Sequence, residues 1–361
     1  MNRYAALLEK LRPKLAPARP EDVVRRVDSD REGGLFVQTQ QGDTSRWFRV
    51  RGQDVRAMDL ADEDDLPLIG DEALTPRLLA TTPLAWYPGR RVVLAAAEGQ
   101  RATVLKGYRK RRSALAAERH GLAILASAGG PLCVPSLVAH HTRAEALEFE
   151  CIVGKTLLEE RQDPGDLFRI GVALRQMQRQ RVPTSFELAV HDASAELGVL
   201  DVLARRVAAT TDCLPQGWRE VRSTLESWAP SLARCTPRLA HRDLHDRQVL
   251  VSGERLWWID FDQLSLADPL LDAANLSAHL LLRSLQRGDN PEDRQTEAAC
   301  AALLDGLDRY QSPHFWSRLR FFQSTTFLRL AAVYAMRPRW IQRTAPLVHY
   351  AERCLEERVH V

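Results

Sequence analysis

The chain has 361 residues, 45% of them hydrophobic and 27% charged, with 50 Lys+Arg against 47 Asp+Glu and a formal net charge of +3. That length is ample to bury a core and to divide into two lobes, and the charge balance gives no reason to expect a nucleic acid or a membrane surface as partner. The six cysteines, Cys133, Cys151, Cys213, Cys235, Cys300 and Cys354, form no C-x-x-C pair and have neither zinc nor disulfide spacing, so reduced thiols in a cytoplasm are expected.

Residues 4–15 have helical periodicity, but charges interrupt the apolar run and no cleavage pattern follows, which does not fit a signal peptide. No stretch approaches the about 18 apolar residues of a membrane span. Residues 35–40 and 47–51 read as strands around the polar turn Gly42-Asp43-Thr44-Ser45, and the acidic run 59–65 as a solvated connection. Residues 1–80 are therefore expected to form an N-terminal extension. From Thr82 the pattern turns strand-rich: 84–87, 91–96 and 102–108, then a helix over 113–127 that stops before Gly129-Gly130-Pro131, then strands over 137–141 and 146–151. Beyond Gly165 the pattern is helical, apart from one hairpin near 249–261. The expected fold class is α+β, with a small antiparallel-sheet N-lobe over 81–153 and a mainly helical C-lobe over 154–361.

Only five lysines occur, Lys10, Lys14, Lys106, Lys110 and Lys155. Arg does not replace Lys where a compact ammonium is needed, so a Lys inside an apolar strand stands out. Strand alternation puts Ala102, Val104 and Lys106 on one face. In the following helix Leu115, Glu118, Leu122 and Leu125 share a stripe, so Glu118 is expected on the apolar face, as the anion that pairs with Lys106. The competing reading is an edge-strand Lys and an unrelated solvent Glu.

The segment HRDLHDRQVL, residues 241–250, precedes WWIDFD, residues 257–262. Two apolar strands flank the turn Ser252-Gly253-Glu254, and folding them together sets Gln248 opposite Asp260 within about one residue of register. Asp243 enters the same end of the hairpin. Phosphoryl transfer needs such a set: one carboxylate to orient or deprotonate a hydroxyl, and an oxygen ligand with a second carboxylate to hold Mg2+ on nucleotide phosphates.

These residues resemble the H-G-D-x-x-x-x-N and I-D-[FW] motifs of the aminoglycoside phosphotransferase and choline kinase-like small-molecule kinases. The resemblance covers roughly 84–280, extends to the D-P-x-x-D-x-A stretch at Asp268-Pro269-Leu270-Leu271-Asp272-Ala273-Ala274, and implies a protein-kinase-like two-lobed fold. It implies that Asp243 is the catalytic base, that Asp260 is the principal Mg2+ ligand with Gln248, and that Lys106, positioned by Glu118, steadies the phosphates of ATP. Val104 is expected to cover the adenine, and backbone near Glu150 to Ile152 to bind its edge. Arg242 stands where the family usually has Gly. Gln248 replaces the usual Asn, as in maltokinase-like enzymes. Asp268 reads as an N-cap, and Asp272 as a brace for the catalytic loop.

No G-x-G-x-x-G is present. Tyr87-Pro88-Gly89-Arg90-Arg91 takes the place of a phosphate-covering loop, either with an Arg meeting a phosphate or as a plain solvent turn. Trp257, Trp258, Phe315, Trp316, Phe321, Phe322 and Trp340 read as core, and His140, His141 and His245 have no metal-ligand spacing.

The expected activity is an ATP- and Mg2+-dependent kinase of a small-molecule hydroxyl, on a sugar, antibiotic or other natural product. Residues 270–361 hold 10 Asp+Glu and 12 Lys+Arg, which favours a neutral or anionic acceptor over a polycation. A nucleotide-binding pseudokinase remains as the alternative on the strength of Gln248. A protein kinase is disfavoured because no segment ending in A-P-E follows Asp260.

Overall fold

The structure, a computed structural model, describes residues 23–30, 33–41, 44–78, 82–98, 101–159, 163–211, 214–232, 235–287, 294–308 and 314–356. The helix expected over 4–15 lies outside them. In chain order the strands are β1 (Val23–Ser29), β2 (Leu35–Gln41), β3 (Thr44–Arg51), β4 (Asp54–Met58), β5 (Ala85–Tyr87), β6 (Arg91–Glu98), β7 (Arg101–Tyr108) and β8 (Leu132–Cys133). They continue with β9 (Leu137–His141), β10 (Ala146–Glu150), β11 (Lys155–Thr156), β12 (Val190–His191), β13 (Arg238–Ala240), β14 (Val249–Ser252), β15 (Arg255–Trp258) and β16 (Ser265–Ala267). The helices are α1 (Ser113–Ser127), α2 (Pro164–Arg179), α3 (Ala193–Thr211), α4 (Trp218–Trp228), α5 (Leu271–Arg287), α6 (Arg294–Gly306), α7 (Phe315–Ala335) and α8 (Thr344–Glu356). Among the described residues no helix is long and apolar enough to cross a membrane.

The chain divides into two compact units, one of Met1–Asp59, Ala193–Ala233 and Trp316–Val361, the other of Leu60–Asp192 and Arg234–Phe315. The residues expected as an N-terminal extension thus contribute to both. In the first unit β1 to β4 form an antiparallel sheet in sequence order. Val27, Val37, Phe48, Val50 and Val55 bury one face of it. Strands β2 and β3 were expected and β1 was not, because a bulge between Val24 and Arg26 interrupts its alternation. The helical side of this unit packs Leu203 and Val207 against Ala332, Ala335 and Met336.

The second unit holds an antiparallel sheet ordered β5-β6-β7-β10-β9. Alternation on β6 and β7 sends Val92, Leu94 and Leu105 to one face, where they pack on Leu66, Leu68 and Leu74. The segment read as a solvated connection therefore leads into core: its carboxylates are mostly exposed, while the leucines just beyond them are buried. The other face of the sheet carries Arg91, Val104, Lys106 and Tyr108. Helix α1 belongs to this unit and buries Ser113, Ala116, His120, Leu122, Ala123 and Ala126 in it.

The remainder of the second unit is helical around the β14–β15 hairpin. Helices α2 and α6 cross at a reciprocal glycine contact: a Cβ on Gly171 would stand 2.2 Å from the Leu303 carbonyl, and one on Gly306 2.1 Å from the Phe168 carbonyl. Only glycines allow that approach. The hairpin lies in a sheet ordered β11-β14-β15-β8, and the chain reaches β11 through Gly154, whose Cβ would meet the Val251 carbonyl at 2.6 Å. A three-stranded sheet, β12-β16-β13, was not anticipated; strands of two or three residues carry too little alternation to read.

Candidate active site

The hairpin register pairs Val249 with Trp258, and the Ile259 amide donates to the Gln248 carbonyl at 3.0 Å. Gln248 therefore faces Ile259, one residue from the expected partner. After Ile259 the chain turns sharply. Asp260 is left-handed at φ 66 and opens a short 3-10 turn over Phe261–Gln263. The turn buries Phe261 between the rings of His120 and His241, with centroids at 6.0 and 4.8 Å. Asp260 and Asp262, on either side of that plug, both reach the same cations.

The Lys106 ammonium lies 2.7 Å from Asp260 Oδ1 and 2.8 Å from Asp262 Oδ2. The Arg91 guanidinium lies 3.1 Å from Asp260 Oδ2 and 3.5 Å from Asp262 Oδ2. The Tyr108 hydroxyl donates to Asp262 Oδ1 at 2.9 Å, and Arg119 to the Asp262 carbonyl. The Gln248 amide approaches Asp260 Oδ2 at 3.4 Å. Burial favours a neutral Asp260, but Lys106 and Arg91 outweigh it and hold the carboxyl well below the usual range. Burial likewise works against a charged Arg91, and Asp260 and Asp262 overturn it, so the guanidinium pKa rises. Burial and then Asp262 push the Tyr108 phenol well above its ordinary value.

Helix α5 fixes the loop that carries Asp243. Asp272, Asn275, His279 and Arg283 recur at helical spacing and form a buried polar stripe on the helix. Asp272 accepts from the His241 and Arg242 amides, each at 2.7 Å. Asn275 donates to the Leu244 carbonyl at 2.8 Å, and Arg283 Nη2 to Asp246 Oδ1 at 3.0 Å. Burial opposes a charged Asp246, yet His245 and Arg283 hold it well below the usual carboxylate range. His241 donates from Nε2 to the Ile259 carbonyl at 2.9 Å and accepts the Asp243 amide at Nδ1 at 3.3 Å. Its ring links the Asp243 loop to the Asp260 turn. The expected bracing by Asp272 is thus present in the geometry. Arg242 is itself left-handed, at φ 68, which accounts physically for Gly at this place in similar motifs.

Glu118 does not meet Lys106. It is exposed, because α1 buries the face of Ala116, His120 and Ala123 and leaves Leu115 and Leu125 outward. The sequence phase was set by the leucines, whereas small residues fill the face that packs closely. His120 occupies the inward position, with its Nε2 2.7 Å from the Pro135 carbonyl. The anions for Lys106 are Asp260 and Asp262 instead. Val104 lies half-buried on the Lys106 face. Further along, the Glu150 amide donates to Ser136 and the Cys151 amide to Ala102. Among the described residues nothing bonds the Ile152 amide.

Asp262 and Tyr108 were not anticipated as site residues, and Arg91 was anticipated only as one of two arginines in a turn that either meets a phosphate or faces solvent. Tyr108 is two residues past Lys106, so alternation alone would have placed it there. Arg91 faces Tyr108 across the β6–β7 ladder, and Asp262 depends on the turn after Asp260. Of the aromatics read as core, Trp258, Phe315, Phe321 and Phe322 are buried, Trp257 and Trp340 are half-buried, and Trp316 is exposed. His245 stacks on His279 with centroids 4.8 Å apart, and Asp246 completes a group of ligand-capable atoms with them. Asp246 is already committed to Arg283, which speaks against a metal there.

A sequence profile of the phosphotransferase enzyme family matches residues 88–316. No curated protein matches the chain. Among solved structures, a choline/ethanolamine kinase family protein from Mesorhizobium loti is similar at 18% identity and a TM-score of 0.55, over 82% of this chain and 93% of that one. Amicoumacin kinase hAmiN, in complex with AMP-PNP and Ca2+, is similar at 15% identity and a TM-score of 0.55, over 76% and 88%. A thermostable mutant of the aminoglycoside phosphotransferase APH(4)-Ia follows at 13% identity and a TM-score of 0.51, over 78% and 95%. At these identities the likeness is one of fold, the protein-kinase-like fold expected from the motifs.

Proposed function

The chain belongs to the phosphotransferase enzyme family, and from that premise we propose that it is a kinase moving the γ-phosphoryl group of ATP, with Mg2+, to a hydroxyl of a small molecule. The observation that carries the reading is the meeting of Lys106, Asp260, Asp262 and Gln248 at one end of the hairpin whose entry loop bears Asp243. Asp260, Asp262 and the Gln248 amide offer hard oxygen donors, and the spot already gathers cationic charge, so the residues fit a divalent ion of the Mg2+ type. Asp260 and Gln248 would hold it, where it supplies neutralising charge to phosphate oxygens.

Lys106 steadies the phosphates of the bound nucleotide. Val104 covers the adenine, and the Ile152 amide with the Glu150 carbonyl meets its edge. Asp243 orients the acceptor hydroxyl and takes its proton. As that proton leaves, the acceptor oxygen bonds to the γ-phosphorus and the bond from phosphorus to the departing ADP oxygen breaks. The structures of an amicoumacin kinase and an aminoglycoside phosphotransferase, with which the chain shares a fold, support an acceptor among sugars and natural products. The charge balance of residues 270–361 favours a neutral or anionic one. Such a reaction suits the cytoplasm, where ATP and Mg2+ are abundant.

The test begins with binding. An ATP analogue titrated with and without Mg2+ should show a metal-dependent gain in the wild type that Asp260→Ala loses. A metabolite pool screened with ATP should then yield a phosphorylated product. With that acceptor, Asp243→Asn should bind nucleotide normally and turn over roughly a hundredfold or more slower. A wild type without nucleotide affinity would end the reading.

A further inference from the structure

The turn joining β5 to β6 stands where a kinase-like sheet covers nucleotide phosphates, and its backbone is already committed. Pro88 has no N–H to offer. The Gly89 amide donates to a Glu63 carboxylate oxygen at 2.7 Å, and the Arg90 amide to the Tyr87 carbonyl at 3.0 Å. Glu63 is buried, and Asp65 lies 3.5 Å from where a Gly89 side chain would begin. A turn whose amides are occupied, with carboxylates beside it, is the opposite of a backbone anion nest. A polyphosphate here has to be met by side chains.

β6 supplies one. Its alternation buries Val92 and Leu94 and turns Arg91 to the Lys106 face. The guanidinium lies over the Tyr87 ring at 5.0 Å and on the two carboxylates of the hairpin. We propose that Arg91 is a phosphate-binding residue of this chain, a second side-chain cation that, with Lys106, replaces a glycine-rich flap. The inference rests on the kinase reading above. A divalent ion at Asp260 competes with Arg91 for the same oxygens. An Arg91 released from them remains beside the phosphates, and its planar fork suits two phosphate oxygens at once. Arg91 thus has two anionic partners, and the ion decides between them.

The experiment is calorimetric titration of the full chain with adenosine and with ADP, in EDTA and across a Mg2+ series, for wild type, Arg91→Ala and Arg91→Lys. The wild type should prefer ADP to adenosine. Arg91→Ala should shrink that preference about tenfold while adenosine affinity stays within about twofold, the scale of one lost charge-assisted hydrogen bond. Arg91→Lys should retain part of it, and it carries the test if the alanine variant does not fold. Arg91→Ala should also need less Mg2+ for half of the metal-dependent gain, since a competing cation is gone. An unchanged preference for ADP in folded variants overturns the proposal and leaves the kinase reading standing. A wild type that binds no adenosine nucleotide overturns both.

Discussion

Replacing Asp272 by Ala tests whether α5 holds the loop that carries Asp243. The carboxylate is 1% exposed and each oxygen takes one backbone amide, from His241 and from Arg242. Without it the buried His241 amide and the part-buried Arg242 amide lose their acceptor, at ~1–3 kcal/mol for a buried donor and less for the second, so the intact loop would lose ~2–5 kcal/mol of stability. Relaxation offers a second course. Arg242 is left-handed at φ 68, a conformation that costs a side-chain-bearing residue ~1–2 kcal/mol. Freed from Asp272, it can leave that conformation and recover part of the loss, but Asp243 then moves with it. A small stability loss must accordingly come with a large fall in turnover, and a large one with less. Asp272→Asn keeps one acceptor oxygen and should lose about half as much stability as Asp272→Ala. Urea unfolding followed by circular dichroism and tryptophan fluorescence gives the stability, and phosphorylation of the screened acceptor gives the turnover. An alanine variant within ~0.5 kcal/mol of wild type and equally active would refute the bracing role.

Gln248 separates a metal ligand from a loop bond: Gln248→Ala should raise the Mg2+ concentration for half-maximal rate, Gln248→Asn less, and Gln248→Glu should bind metal at least as well. One shared Mg2+ dependence across the three would leave only a loop-bonding role. At Arg242, Gly should be more stable than Val by ~1–2 kcal/mol, because a β-branched residue resists positive φ; equal melting of the two variants would contradict the backbone reading. Glu145 accepts the amides of Arg111, Arg112 and Ser113 and the Ser113 hydroxyl at the start of α1. Burial opposes its charge, but these donors prevail and lower its pKa from 4.5 to about 2. Its contribution is therefore complete above the unfolded value and lost as pH falls from 4.5 toward 2. Glu145→Ala should flatten acid destabilisation across that window in a pH series of melting curves; an unaltered acid limb would count against the cap.

Much of the candidate site was legible because its parts are local. HRDLHDRQ and the following WWIDFD lie within one hairpin, so apolar alternation and a short turn bring Asp243, Gln248 and Asp260 to one end whatever the rest of the chain does. Lys106 was legible as a charge on an apolar strand face. Where the pattern was ambiguous, the reading failed. In α1 a leucine stripe and a small-residue face compete for the core. Alanines allow closer packing, so the face of Ala116, His120 and Ala123 went inward with Leu122 at its edge, and Glu118 went out with Leu115 and Leu125.

By itself the sequence determined the longer strands and the helix between residues 84 and 151, the hairpin with its oxygen donors, and the lysine on an apolar strand face. Those follow from period-2 and period-3.6 patterns and from neighbours a few residues apart. The tertiary structure decided which anions Lys106 meets, that Arg91 lies with it on Asp260, and that the leucines beyond the acidic run cover the sheet. It also drew strands from before residue 60 and helices from beyond 193 into one unit. Such contacts join residues far apart in the chain, and periodicity specifies only which face an element buries, not which face of another element will cover it.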